Sequence, residues 1–223
     1  MKPIKAVIFD LDGTLLDTIE DIADSMNRAL FYFGLKSYDV AAYKRFVGRG
    51  VDHLVDAVLD GTGMTGKTWN AVRRMYLKTY AEWQRRKTRP YPGIVETVAA
   101  LNAAGIACNV LSNKPDVDTN AVIEHYFAPD TFVHVVGQKP GYPVKPDPRS
   151  ANEIISALGL ATDEILYVGD TGTDMETAKN AGLVSVGVLW GFRDASELRE
   201  SGAVHIIARP AELINLIERS AFA

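Results

Sequence analysis

In this chain the residues best suited to chemistry are aspartates that stand where short apolar runs stop. Lys5 to Phe9 leads into Asp10-Leu11-Asp12-Gly13-Thr14, and Ile165 to Val168 leads into Gly169-Asp170-Thr171-Gly172-Thr173-Asp174. Short runs rich in branched residues read as strands, and the carboxyl ends of parallel strands converge on a crevice where ligands bind. If these two strands are neighbours, the carboxylates of Asp10, Asp12, Asp170 and Asp174 crowd one spot. Such crowding is costly unless a cation neutralises it, and an all-oxygen cluster suits a hard divalent ion such as Mg²⁺. Ser112, with Asn113 and Lys114 behind it, follows Val110-Leu111, and Lys145 stands in Pro143-Val144-Lys145-Pro146-Asp147, just ahead of a helix N-terminus that favours anions. A carboxylate nucleophile, an acid/base, a metal, a hydroxyl donor and a cation together form a phosphoryl-transfer site. Singly, each has a plainer explanation as a turn, a helix cap, a strand-end hydroxyl or a surface lysine. Their order and their placement at strand ends carry the reading.

Such groups need a scaffold that brings strand ends together. Lys5 to Phe9, Ala107 to Leu111, Phe132 to Val136, Ile165 to Val168, Val184 to Val188 and His205 to Ile207 are the strand candidates, and five or six of them make one sheet. From residue 91 onward they alternate with helical patterns, which predicts a doubly wound, Rossmann-like α/β core with a parallel sheet. Helix ends are recognisable in Pro92-Gly93 before the run Ile94 to Ala104 and in Asp147-Pro148 before a helix that Gly159 ends. Thr173 and Glu176 resemble a capping box. Residues 16–88 differ. Ile19, Ile22, Ala23, Met26, Ala29, Leu30 and Phe33 follow the spacing of an amphipathic helix, as do Val51 to Leu59 and Trp69 to Trp83, with no convincing strand among them. The expected organisation is a core of residues 1–15 and 89–223 interrupted by an all-helical domain of residues 16–88.

The bulk composition agrees with a single soluble, globular chain. Of 223 residues, 23% are charged and 47% hydrophobic, ordinary values for a folded domain. The net charge of -4 gives no sign of a nucleic-acid binder. Residues 16–88 carry 12 Lys plus Arg against 9 Asp plus Glu, net +3, and the remainder 12 against 19, net -7. The single cysteine, Cys108, lies in an apolar run and needs no role beyond a small buried hydrophobe. The N-terminus does not read as a signal peptide, and no stretch approaches 18 apolar residues, so the expected setting is cytoplasmic with no membrane partner.

In its chemical residues the chain resembles the haloacid dehalogenase superfamily, whose four motifs match Asp10-Leu11-Asp12-Gly13-Thr14, Leu111-Ser112-Asn113, Lys145, and Gly169-Asp170 through Asp174. The match covers nearly the whole chain, and the helical insert resembles the family's helical cap domain. The resemblance implies that Asp10 attacks phosphorus, and that Asp12 protonates the leaving alcohol and then activates water against an aspartyl-phosphate. It implies that Mg²⁺ is held by Asp10, the backbone carbonyl of Asp12, and Asp170, with Asp174 in direct or water-mediated support. Ser112 and Lys145 would bind the phosphoryl oxygens, with Thr14 and Asn113 beside them on the substrate side. Dehalogenase members lack an acid at the position of Asp12, which argues against carbon–halogen cleavage, and Thr14 favours phosphatases over sugar mutases. Among members the chain is most similar to phosphoglycolate phosphatases, so the expected substrate is a small phosphate monoester, 2-phosphoglycolate, acted on by a monomer or homodimer.

Other readings stay open at this point: a phosphosugar mutase similar to β-phosphoglucomutase, an inorganic pyrophosphatase, and a non-catalytic phospholigand-binding module. Val47-Gly48-Arg49-Gly50 reads either as a specificity loop in which Arg49 meets a carboxylate or phosphate, or as a turn with a solvated arginine. Gly61-Thr62-Gly63-Met64-Thr65-Gly66-Lys67-Thr68 satisfies the P-loop pattern but follows a helical run, where a P-loop requires a strand, and so reads as a loop between helices. The histidines lack zinc-site spacing, and His53 reads as structural. The aromatic stripe Trp69, Tyr76, Tyr80 and Trp83 reads as core. Trp190-Gly191-Phe192-Arg193 either lines the cleft or packs beneath the helical insert.

Overall fold

The computed structural model describes residues 2–220. Its centre is β1 (Ala6–Phe9), whose side chains alternate between two apolar layers. Val7 and Phe9 enter one cluster and Ala6 and Ile8 the other, so both faces of the strand are covered, as a central parallel strand requires. The chain then forms β2 (Leu16–Asp17) and four helices: α1 (Ile19–Tyr32), α2 (Val40–Phe46), α3 (Gly50–Leu59) and α4 (Lys67–Trp83). It returns through β3 (Arg89–Pro90), which pairs antiparallel with β2. There follow α5 (Ile94–Ala103), β4 (Ala107–Pro115), α6 (Asp116–Tyr126), β5 (His134–Gln138), α7 (Arg149–Leu158), β6 (Ile165–Gly169), α8 (Gly172–Asn180), β7 (Val184–Val188), α9 (Ala195–Glu200), β8 (His205–Ile207) and α10 (Glu212–Ser220).

Among the described residues the main sheet has six strands in the order β5-β4-β1-β6-β7-β8. Every pairing in it is parallel. This is the predicted doubly wound, Rossmann-like arrangement, and β1 pairs with both β4 and β6, which brings their carboxyl ends side by side. Helices α1, α3 and α4 share a separate apolar cluster that includes Met26, Leu30, Val55 and Tyr80. Core residue Phe192 also enters that cluster from the loop after β7. No helix among the described residues is long and apolar enough to cross a membrane.

Several boundaries differ from the sequence expectation for local reasons. The edge strand β5 begins two residues later than Phe132, because Phe132 packs against Phe127 at the end of α6. Strand β4 runs past Leu111 to Pro115 with a register shift against β5 between those residues. The capping box of α8 is Thr171 with Asp174, not Thr173 with Glu176: the Thr171 amide and hydroxyl both donate to Asp174 Oδ2, at 3.1 and 2.6 Å. The P-loop look-alike begins just after α3 ends and spans the loop to α4 and the start of α4, with no strand before it.

Candidate active site

The site forms where β1, β4 and β6 end. Asp10 follows β1, Asp170 follows β6, and Asp174 lies in the first turn of α8. All three are buried, and one carboxylate oxygen from each lies within 4.8 Å of the others. The close approach depends on two glycines. A Cβ on Gly13 would stand 2.3 Å from Asp170 Oδ2, and one on Gly191 would stand 2.3 Å from Asp170 Cβ and 2.4 Å from the Gly13 carbonyl. Residues 13 and 191 therefore have no room for a side chain, and Gly13 also has a φ of +91°.

Lys145 reaches this cluster from the loop before α7. Its ammonium donates to Asp10 Oδ1 and Asp174 Oδ1, each at 2.7 Å, and to the Leu111 carbonyl at 3.2 Å. Asn113 aims the loop by accepting from the Lys145 amide at 2.7 Å and donating to the Lys145 carbonyl at 3.2 Å. Thr14 Oγ1 donates to Asp170 Oδ1 at 3.0 Å, and the Phe192 amide donates to Asp170 Oδ2 at 2.8 Å.

The electrostatics follow from this packing. Burial pushes the Asp10 carboxyl up to about 7, with Asp174 adding to the rise and Lys145 opposing it. Burial, then Asp10 and Asp174, likewise hold Asp170 well above the usual carboxylate range. Burial pulls Lys145 down, but Asp10 and Asp174 outweigh it, so its pKa ends well above that of an ordinary lysine. Counted by formal charge, Asp10, Asp170 and Asp174 against Lys145 leave -2, which is the charge a divalent cation would cancel. The donor set is all oxygen, as a hard divalent ion prefers. These residues therefore fit a divalent metal ion.

Asp12 faces elsewhere. Its Oδ2 pairs with the ammonium of Lys114 at 2.9 Å, and its Oδ1 is buried with no hydrogen-bond partner. It lines a cavity beside Asp10, Ser112 and Asn113 on the core side and Val47, Leu54 and Tyr80 on the helical side. An acid two residues beyond Asp10 thus points into the space while Asp10 points toward Asp170 and Asp174.

The structure gathers Asp10, Asp12, Ser112, Asn113, Lys145, Asp170 and Asp174 as the sequence spacing predicts, but it places three expected groups differently. The Asp12 carboxylate is not part of the three-acid cluster. Thr14 is fully buried and spends its hydroxyl on Asp170 instead of lining the cavity. Arg49 is exposed at the start of α3, outside the residues that line the cavity. The loop it belongs to does approach: Gly48 and Gly50 line the space, and the Gly48 carbonyl accepts from Asn113 Nδ2 at 3.0 Å. Four residues, Lys114, Tyr76, Tyr80 and Trp190, take parts at the site that the sequence alone does not specify. Lys114, two residues beyond Ser112, lines the cavity. Tyr76 and Tyr80, expected as plain core, line the cavity as well as the helical cluster. Trp190 Nε1 donates to the Thr14 carbonyl at 2.9 Å, so the loop after β7 braces the motif around Asp10.

A doubly wound α/β sheet that presents a buried aspartate, a second acid two residues on, a buried lysine and an acid cluster fit for a metal at adjoining strand ends is a scaffold suited to phosphoryl transfer. The haloacid dehalogenase-like hydrolase family model matches residues 7–188. A phosphoglycolate phosphatase of Mesorhizobium japonicum is 33% identical over 99% of this chain and 98% of its own length. One from Rhodospirillum rubrum is 35% identical over 84% and 80%. The crystal structure of a candidate phosphoglycolate phosphatase from Lactobacillus delbrueckii subsp. bulgaricus superposes with a TM-score of 0.89 at 32% identity, covering 97% of this chain and 99% of that one. The chain belongs to the haloacid dehalogenase-like hydrolases. Within that family it is a phosphoric monoester hydrolase.

Proposed function

We propose that this phosphatase hydrolyses 2-phosphoglycolate with Mg²⁺ as its metal, through an aspartyl-phosphate on Asp10. In this reading residues 1–15 and 89–223 form the catalytic core and residues 16–88 a cap. The observation that carries it is the division of labour between Asp10, turned toward Asp170, Asp174 and Lys145, and Asp12, turned into the cavity. Asp10 attacks phosphorus, forming the Oδ–P bond as the bond to the ester oxygen breaks. Asp12 delivers a proton to that leaving oxygen, then takes one from the water that cleaves the acyl phosphate. Lys145 neutralises oxygens on the transferring group, and Ser112 supplies a hydroxyl donor. Asp10, Asp170 and Asp174 would hold the metal, which when bound withdraws charge from the phosphoryl oxygens and lets the anionic ester approach the carboxylates. Helices α1, α3 and α4 and the loop before α3 cover the cavity and restrict the water that reaches the acyl phosphate. The names of the relatives support the substrate, and the cavity, lined on its helical side by Ile22, Val51, Leu54 and Leu77, sets an apolar wall opposite the acids that suits a short ester.

The test is phosphate release from a panel of 2-phosphoglycolate, sugar phosphates, pyrophosphate and nucleotides, with Mg²⁺ and with chelator. Mg²⁺-dependent preference for 2-phosphoglycolate is the expected result. Preference for another monoester would discard the substrate while keeping the chemistry. Asp10→Asn is expected to abolish turnover in a folded protein, and surviving activity would remove Asp10 from the role of nucleophile.

A further inference from the structure

The mechanism leaves Lys114 without a task, although its environment is unusual. The side chain is 3% exposed, at the irregular end of β4. Its ammonium pairs with Asp12 Oδ2 at 2.9 Å and donates to Tyr80 Oη of α4 at 2.7 Å. Among the described residues it is the only cationic side chain lining the cavity, where Asp10, Asp12 and Asp118 supply acids. Lys145, the other buried lysine near the site, already has Asp10, Asp174 and Leu111 as acceptors and does not line this space.

We propose that Lys114 is the specificity-determining residue for an anionic leaving group: it receives the substrate's carboxylate on the far side of Asp12 from the phosphoryl group. This rests on the reading of the site as a phosphatase acting on a short, carboxylate-bearing ester. The placement follows from geometry. Asp12 must touch the leaving oxygen, and the cation beside that position is Lys114 Nζ, 2.9 Å from Asp12 Oδ2. Asp12 and Tyr80 engage two of the three ammonium donors, and the third remains for a ligand oxygen. Among the described residues no other wall offers the carboxylate a counter-ion. Ile22, Val51, Leu54 and Leu77 are apolar, and Asp118 is an acid whose own carboxyl is held up by burial. A carboxylate brought into this space without Lys114 would be a buried charge with no counter-ion. Tyr80 adds the helical side to the same contact, since it binds the ammonium at its hydroxyl while its ring lies 4.5 Å from the nitrogen.

The experiment compares kcat/KM for 2-phosphoglycolate and for ethyl phosphate, which has the same two-carbon length without the carboxylate, in the full-length protein and in Lys114→Met and Lys114→Arg. The expected wild-type preference for 2-phosphoglycolate drops by about tenfold to a hundredfold in Lys114→Met, the range for a hydrogen bond between charged groups, and survives within about tenfold in Lys114→Arg. Any loss passed on through Asp12, and any inactive fraction of the variant, falls equally on both esters, so the ratio isolates the carboxylate. If Lys114→Met is not recovered folded, Lys114→Gln serves the same comparison. An unchanged ratio beside intact wild-type preference would overturn the role of Lys114 and leave the phosphatase reading standing. Wild-type protein that prefers esters without a carboxylate would overturn the substrate and this assignment together, whatever the variants do.

Discussion

Asp170 makes two good hydrogen bonds, from Thr14 and Phe192, yet it is fully buried beside two other acids with a single lysine to offset them. Its charge therefore opposes folding until a cation arrives. Asp170→Asn retains an acceptor for the Phe192 amide and turns its NH₂ toward the Thr14 hydroxyl, which can accept. The metal-free variant is expected to be more stable than wild type by about 1–3 kcal/mol, or roughly 2–4 °C in melting temperature per kcal/mol for a chain of this size. It should also lose the upward shift that Mg²⁺ produces in the wild-type melt. Lys145→Met makes the opposite prediction. Removing the ammonium leaves Asp10 and Asp174 without their shared partner, and breaking a buried pair in this way costs about 3–5 kcal/mol. Calorimetry of both variants with and without Mg²⁺ checks the pair of signs. A metal-free Asp170→Asn less stable than wild type would contradict the balance of charge drawn for the site.

One carboxylate binds the two chain segments that connect the sheet to the helices. Asp21, in the first turn of α1, accepts from the Lys87 and Thr88 amides and from Thr88 Oγ1 at 2.8–3.1 Å, just before β3. The Thr88 carbonyl accepts from Tyr126 Oη of α6 at 2.7 Å. Asp21→Ala strands buried amides of the return segment, so a loss of about 2–4 kcal/mol in urea unfolding is expected, with Asp21→Asn recovering part of it. A loss below about 0.5 kcal/mol would show that water replaces the carboxylate there. Nothing in the sequence marks Asp21 as more than an acid in a first helical turn, because its partners lie 66 and 67 residues away. Local pattern was enough for what local pattern encodes. Branched runs placed the six sheet strands to within a few residues, and the strand-end acids followed from them. The spacing of Ile19 to Phe33 and Trp69 to Trp83 likewise marked α1 and α4. The two-residue strands β2 and β3 are too short to carry a period, and α2, at seven residues, has only two turns in which to show one. The same limit explains Thr14 and Arg49. Sequence order places both near the site, but only packing decides that Thr14 turns inward to Asp170 and Arg49 outward to solvent.

Two apolar clusters meet across the site, one built on the sheet and one on the four helices, and polar contacts from the core hold the loop between α2 and α3 over the cavity. Asn113 donates to the Gly48 carbonyl from one side. From the other, Arg193 Nη2 donates to the Arg45 and Val47 carbonyls at 3.0 and 2.9 Å while its Nε pairs with Glu197. These bonds link backbone carbonyls of the helical part to side chains of the core, so they form only when the two parts are together. Motion of one part away from the other must break them, whereas the sheet hydrogen bonds are untouched by it. Arg193→Ala removes the firmer side of that grip. With about 1.5–3 kcal/mol for bonds from a charged donor, local opening at residues 45–50 should become roughly 10- to 150-fold more frequent. Native-state hydrogen exchange reads this directly: amides of residues 45–50 should exchange faster in the variant while those of β1 and β6 keep their protection. A phosphate analogue bound with Mg²⁺ should slow the loop amides again in wild type and in the variant, because a ligand held between Asp10 and the helices stabilises the closed arrangement from within. Equal acceleration in the loop and in the central strands would mean that Arg193 supports the whole fold and has no separate part in closing the cavity.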